Sequence, residues 1–297
     1  MPISLKFTEH RYAADNELQK LGVWEFPSNT DNASGYWLKT SINAYHVSYL
    51  HGGAWRDPRK TYQDFSASIQ EILKSSSIPR SEVRGFISID YRLSPHPLYP
   101  QDPDVTAPTE LRCAQHPDHL RDTWSALAFL QREYQIGDRY ILIGHSAGAT
   151  LALQLPMGSV ALGAAPPLEV KMPTAFIGVS GIYELYDLNA RHEQTYTQFI
   201  AGAFGDDQKS WNKVVPAPFS ESFKDALPTK PLILLAWSPE DSLVDEPEID
   251  TMAAKLKKDG VECTVVKDLT CDHDFVWEDG KQIARLLSEA LALLRKS

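Results

Sequence analysis

Ser146 stands in the pentapeptide Gly144-His145-Ser146-Ala147-Gly148, between a short apolar run and an Ala/Leu-rich run, residues 140–155 reading YILIGHSAGATLALQL. A serine flanked by glycines at a strand-to-helix turn has the pattern of a nucleophile elbow. The glycines let the chain turn sharply enough to lift the hydroxyl above the sheet, and the helix aims its first amides at the same spot. Such a serine needs a base, an acid to orient that base, and donors for a developing oxyanion. His51-Gly52-Gly53-Ala54-Trp55 follows the strand-like residues 44–50 (AYHVSYL). Two adjacent glycines there allow backbone N–H groups to turn inward, so Gly53 and Ala54, with Ala147 after the serine, are the candidate oxyanion donors. His51 reads as a brace for this loop rather than a base.

In α/β-hydrolases the acid and the histidine follow the serine in that order, each in a loop after a later strand. After residues 231–237 (PLILLAW) comes Ser238-Pro239-Glu240-Asp241-Ser242-Leu243-Val244-Asp245. Asp241 lies in the turn. Asp245 precedes Glu246-Pro247-Glu248 and reads as a helix N-cap with a capping-box glutamate, so Asp241 ranks ahead of Asp245, with Glu240 third. Of nine histidines, His273 falls just after the last strand-like run, residues 261–266. Cys271, two positions before it, is a second possible nucleophile, ranked behind Ser146 because the serine has the elbow.

The elements that must position these groups alternate. Strand-like runs at 44–50, 84–91, 173–180, 231–237 and 261–266, with the one before Ser146, are interleaved with helical spacing at 61–74, 118–130 and 283–294. Asp118 reads as the N-cap of the second helix. This order predicts an α/β fold in one domain, 1–297: a mostly parallel sheet with helices on both faces and ligands at the strands' C-terminal ends. Residues 1–40 are polar and weakly periodic, and read as an arm on the outside of the domain. Residues 186–230 lack a sheet element and read as a small cap. Five prolines between residues 95 and 115 impose an irregular loop, which either rims the site or decorates it.

Composition narrows the function. With 29 basic against 39 acidic residues the net charge is -10 and no basic cluster is present, which argues against a nucleic-acid partner. No apolar run approaches the ~18 residues of a membrane span and the first residues lack a targeting pattern, so a soluble, cytoplasmic protein is expected. Cys113, Cys263 and Cys271 are odd in number and lack C-x-x-C spacing, which fits neither a disulfide framework nor a zinc site. The oligomeric state is open, a homodimer included.

These motifs together resemble the kynurenine formamidases (arylformamidases) of the α/β-hydrolase superfamily, especially the fungal type. The resemblance runs from about residue 40 to the end. Gly-x-Ser-x-Gly identifies only the superfamily, whereas His-Gly-Gly continued by Ala54-Trp55 is more discriminating, because related esterases usually carry a third glycine there. Residues 180–185 (SGIYEL) and 90–95 (DYRLSP) are similar as well. The resemblance implies hydrolysis of the small molecule N-formyl-L-kynurenine to L-kynurenine and formate, a step of tryptophan catabolism towards NAD, with no metal and no cofactor. The long proline-rich loop departs from compact members of the group. Trp55 and Tyr183 are candidates for an aromatic pocket wall, ordinary packing being the alternative for each. Two rival functions remain: a carboxylesterase with the same machinery, and a hydrolase-fold binding protein without turnover.

Overall fold

Apolar residues in strict alternation build the centre of the sheet. Tyr140 and Leu142 point into one apolar layer and Ile141 and Ile143 into the other, as a period of two requires of a strand covered on both faces. The computed structural model describes residues 4–27 and 44–296. In it, β1 (Lys6–Arg11), β2 (Lys20–Glu25), β3 (Tyr45–Leu50), β4 (Val83–Ile89), β5 (Tyr140–His145), β6 (Ala175–Val179), β7 (Leu232–Ala236) and β8 (Thr264–Val266) form an eight-stranded sheet. The strand order is β1-β2-β4-β3-β5-β6-β7-β8. From β4 to β8 every pairing is parallel, while β1 and β2 run antiparallel at one edge.

The helices are α1 (Phe65–Lys74), α2 (Asp118–Glu133), α3 (Ala147–Gln154), α4 (Ser159–Leu162), α5 (Tyr186–Arg191), α6 (Thr197–Phe204), α7 (Gln208–Trp211), α8 (Phe223–Ala226), α9 (Glu246–Lys258), α10 (Phe275–Glu278) and α11 (Lys281–Leu294). One face of the sheet is covered by α2, α3 and α9 through Leu127, Leu151 and Met252. The other is covered by α1 and α11 through Phe65, Ile69, Leu286 and Leu287. Each such side chain stabilises by roughly 1.5–3 kcal/mol when fully buried, which makes the layered centre a stiff support for the loops at its C-terminal end.

The expected α/β architecture is present, with two local corrections. The N-terminal residues do not merely lie on the outside: β1 and β2 extend the sheet, with β2 pairing β4. The rest of the expected arm, residues 1–3 and 28–40, falls outside the described residues. The second correction concerns Asp118, which is the first helical residue of α2 and not its cap; Pro117 holds the cap position, and Asp118 faces Arg92 and Arg121 instead. Between β6 and β7, where a cap was expected, lie the four short helices α5 to α8.

Candidate active site

The elbow follows from two close approaches. A Cβ on Gly148 would fall 2.2 Å from the carbonyl oxygen of Leu50, and one on Gly144 would fall 2.4 Å from that of Gly148. Only glycine lets the start of α3 pack directly on the ends of β3 and β5. Ser146, between them, has φ +52° and ψ −122°, a conformation that costs a non-glycine residue on the order of 1–3 kcal/mol and is kept where the surroundings over-determine it. The Ser146 amide donates to the Val179 carbonyl at the end of β6 (2.9 Å), anchoring the turn.

The glycine loop presses against this turn. A Cβ on Gly52 would lie 2.8 Å from His145 Nδ1 and 3.0 Å from Ser146 Cβ. Gly53, Ala54 and Trp55 all have positive φ (+93°, +49° and +59°). Positive φ at two successive non-glycine residues is sparsely populated and is kept where the surroundings over-determine it, commonly at functional sites. Among the described residues, the amides of Gly53, Ala54 and Ala147 donate to no acceptor. His51 braces the loop from behind: its ring stacks on Tyr91 (4.5 Å), and the Tyr91 hydroxyl donates to the carbonyls of His51 and Gly52 at 2.9 and 3.2 Å. Burial lowers the His51 pKa to about 4, so it stands neutral at neutral pH.

His273 and Asp241 are joined. His273 Nδ1 lies 2.8 Å from Asp241 Oδ2 and 3.0 Å from Oδ1, and the carboxylate itself is wholly covered. The Asp241 carboxyl accepts the amides of Leu243 and Val244 as well (3.0 and 2.9 Å). Burial alone would raise its pKa, but the bond from His273 and the Val244 amide outweigh it and hold the carboxyl below its ordinary value. The imidazole loop is tied to the elbow by His145, whose Nε2 donates to the His273 carbonyl (3.0 Å) with the two rings 4.6 Å apart. Burial, then the nearby His273, lowers His145 to about 3, so this brace is uncharged. Ser146 and His273 are both almost fully enclosed, at 3% and 5% exposure.

The comparisons with known proteins bear on this arrangement. Residues 47–277 match the alpha/beta hydrolase fold family. A kynurenine formamidase-like hydrolase of Fusarium equiseti is 33% identical over 290 residues, covering 93% of this chain and 90% of the relative. The kynurenine formamidase of Aspergillus versicolor is 33% identical, over 81% and 86% of the two chains. The chain belongs to the kynurenine formamidase family of α/β hydrolases. Among solved structures, esterase B from Lactobacillus rhamnosis superposes with a TM-score of 0.68 at 16% identity, over 98% of this chain and 87% of that one. A carboxyl esterase from Tuber melanosporum superposes at 0.63 and 16% identity, over 96% and 85%. At those identities the likeness is one of fold. Among the described residues no helix is long and apolar enough to cross a membrane.

Two expectations about this family member's site change. Asp245 does occupy the N-cap position of α9, but its side chain caps nothing; it pairs with Arg191 (2.6 Å), which also holds the buried Glu248 (2.5 Å). Glu248 turns inward to accept the amides of Tyr183 and Glu184, so no capping box forms. Tyr183 is 1% exposed, and its ring lies over Gly178 and Gly181, where added Cβ atoms would fall 2.3 Å from it. It fills the core and is not a pocket wall. Trp55 is fully buried beneath α6, edge-on to Phe204 (4.9 Å) and stacked with Phe199 (6.3 Å).

Several groups around the site carry no sequence signal. Asp272 Oδ1 accepts the Ser242 amide and hydroxyl and the His273 amide (2.9, 2.7 and 2.7 Å), stitching the acid loop to the histidine loop. Lys60, beyond the glycine loop, pairs with Asp274 (2.8 Å). Among the described residues, His145, His273 and Asp274 have potential metal-ligand atoms within 4.8 Å. Four of these atoms have protein partners, His145 Nε2 on a carbonyl, His273 Nδ1 on Asp241 and the Asp274 oxygens on Lys60 and Trp277, while His145 Nδ1 is buried without one.

Proposed function

We propose that this protein hydrolyses N-formyl-L-kynurenine to L-kynurenine and formate with a Ser146-His273-Asp241 triad. The observation that carries the chemistry is the buried His273–Asp241 pair at 2.8 Å, tied through His145 to a serine held in an elbow conformation. The substrate is carried by the family: of the relatives named above one is a kynurenine formamidase and the other a kynurenine formamidase-like hydrolase, each matched over most of its length. His273 takes the proton from Ser146 while Asp241 orients the imidazole, and the alkoxide attacks the formyl carbon. The oxyanion takes hydrogen bonds from the Ala147 amide and from that of Gly53 or Ala54. His273 then protonates the departing arylamine, and water releases formate from the formyl-serine by the reverse steps.

Acyl-group selectivity tests this reading. A formamidase needs a tight acyl side, so the ratio of kcat/KM for N-formyl- over N-acetyl-L-kynurenine is expected to exceed the ~10- to 200-fold that one methylene in a passive pocket supplies. A ratio near one would remove the selectivity for formyl and favour a general acyl hydrolase.

The glycine loop gives a second expected result. Gly52→Ala drives a methyl against His145 and Ser146 and displaces the adjoining amides from the oxyanion. The fall in kcat should approach the ~10²- to 10³-fold that one oxyanion donor is worth, with KM changing much less. Steady-state kinetics decide it, and a change confined to KM would make the loop an ordinary substrate contact.

A further inference from the structure

We propose that the cleft between the proline-rich loop and α6 binds the carboxylate of the leaving group's amino-acid end, through Arg56 and Arg112. This rests on the formamidase reading and extends it to a part of the substrate remote from the scissile bond. The cleft has a volume of about 600 Å³ and is lined by Arg56, His96, Tyr99, Arg112, Gln198 and Gly202 among others, without a single Asp or Glu. That is the reverse of the chain as a whole, which has 39 acidic against 29 basic residues.

Other arginines are already neutralised. Arg59 is held by Asp57 (2.7 Å), Arg92 by Asp122 (2.8 Å) and Arg191 by Asp245 (2.6 Å). Among the described residues, Arg56 and Arg112 meet no carboxylate. Arg56 stacks on Phe199 (5.5 Å) and makes one long bond to Gln198 (3.4 Å). Arg112 donates to the Tyr99 carbonyl (2.6 Å), and its Nε is buried with no acceptor. A half-buried guanidinium with unused donors is an incomplete site, and a carboxylate completes it with two parallel N–H···O bonds. His96 is held below its ordinary pKa by burial and then by Arg56, with Arg59 and Arg112 adding to the same positive field.

The cleft also adjoins the glycine loop. The Arg56 amide bonds to the Gly53 carbonyl (2.9 Å), one residue from the candidate oxyanion amides. The Phe199 ring packs on both Trp55 and Arg56, so the glycine loop and the cleft share a wall. Prolines at 95, 97, 100 and 103 fix the backbone of the opposite wall before any ligand arrives, which lowers the ordering cost of binding. The proline-rich loop is on this view a rim of the site and not decoration.

The test compares L-kynurenine with kynuramine, the same molecule without its carboxylate, in calorimetric titrations of the wild-type chain and of Arg112→Gln and Arg56→Gln. Charge-assisted bonds of this kind are worth roughly ten- to a hundredfold in affinity. The wild-type chain should bind L-kynurenine tighter than kynuramine by that factor, and each substitution should bring the ratio of the two Kd values towards one. The wild-type ratio stands even if one variant fails to fold. Equal affinities, no measurable binding of either compound, or a wild-type ratio that survives both substitutions would overturn the proposal. A clear ratio without formate release from N-formyl-L-kynurenine would overturn the formamidase reading and leave the carboxylate subsite in place.

Discussion

Ser146→Ala is expected to lower kcat/KM by at least ~10³-fold while leaving the fold and its melting temperature nearly unchanged. Removal of the nucleophile leaves only binding and oxyanion stabilisation, which sustain a small residual rate over water. The fold should tolerate the change because the elbow is held by the backbone: the Ser146 amide on Val179, and the contacts that force glycine at 144 and 148. Alanine keeps the positive φ of this position and loses only the hydroxyl. Steady-state kinetics with calorimetric melting check it. Activity above a tenth of wild type would remove Ser146 as nucleophile, and Cys271 would be the next thiol or hydroxyl to test.

The second large effect is at the acid. Asp241→Asn should reduce turnover by roughly 10⁴-fold, since an amide facing His273 Nδ1 stabilises the wrong tautomer and gives no charge to the imidazolium. Asp245→Ala should leave turnover within a few-fold. Arg191 keeps its bond to Glu248, and the partly exposed pair it loses is worth about 1 kcal/mol or less. Measuring kcat/KM and melting for both variants separates them. A large loss of turnover at Asp245 with little at Asp241 would shift the acid to the start of α9.

The contrast between these two aspartates shows where sequence was sufficient. Ser146, the glycine loop and the strands β3 to β8 were legible because each depends on local chemistry: glycines at fixed spacing, and apolar runs that must be buried on both faces. Local capping logic ranks Asp241 ahead of Asp245; the structure puts Asp241 on His273, but the capping premise itself does not hold. Asp245 does not cap, because Arg191, 54 residues away in sequence, takes its carboxylate. Long-range partners of this kind leave no trace in spacing. The same holds for Lys60 with Asp274, 214 positions apart, and for Asp272, which reads as an ordinary loop acid until the two loops meet.

The edge strand β1 is illegible for a different reason. In β1 no residue is fully buried, so its sequence, KFTEHR, carries no apolar alternation. An edge strand needs only backbone pairing on one side, and charged residues there guard against pairing with other chains. Tyr183 shows the converse: an aromatic in a family-like phrase suggested a pocket, but Gly178 and Gly181 form a flat shelf that draws the ring into the core.

The central claim is that one serine centre cleaves a formamide, and head-to-head kinetics test it most directly. Purified protein would be given N-formyl-L-kynurenine and, in parallel, nitrophenyl esters from acetate to octanoate, with kynurenine and formate both quantified. Amide cleavage requires His273 to deliver a proton to the departing nitrogen, which an activated nitrophenyl ester does not need. The account predicts kynurenine and formate in equal amounts, at a kcat/KM above that for every ester, abolished by Ser146→Ala. No formate, with ester hydrolysis that rises with acyl chain length, would contradict it and identify a carboxylesterase.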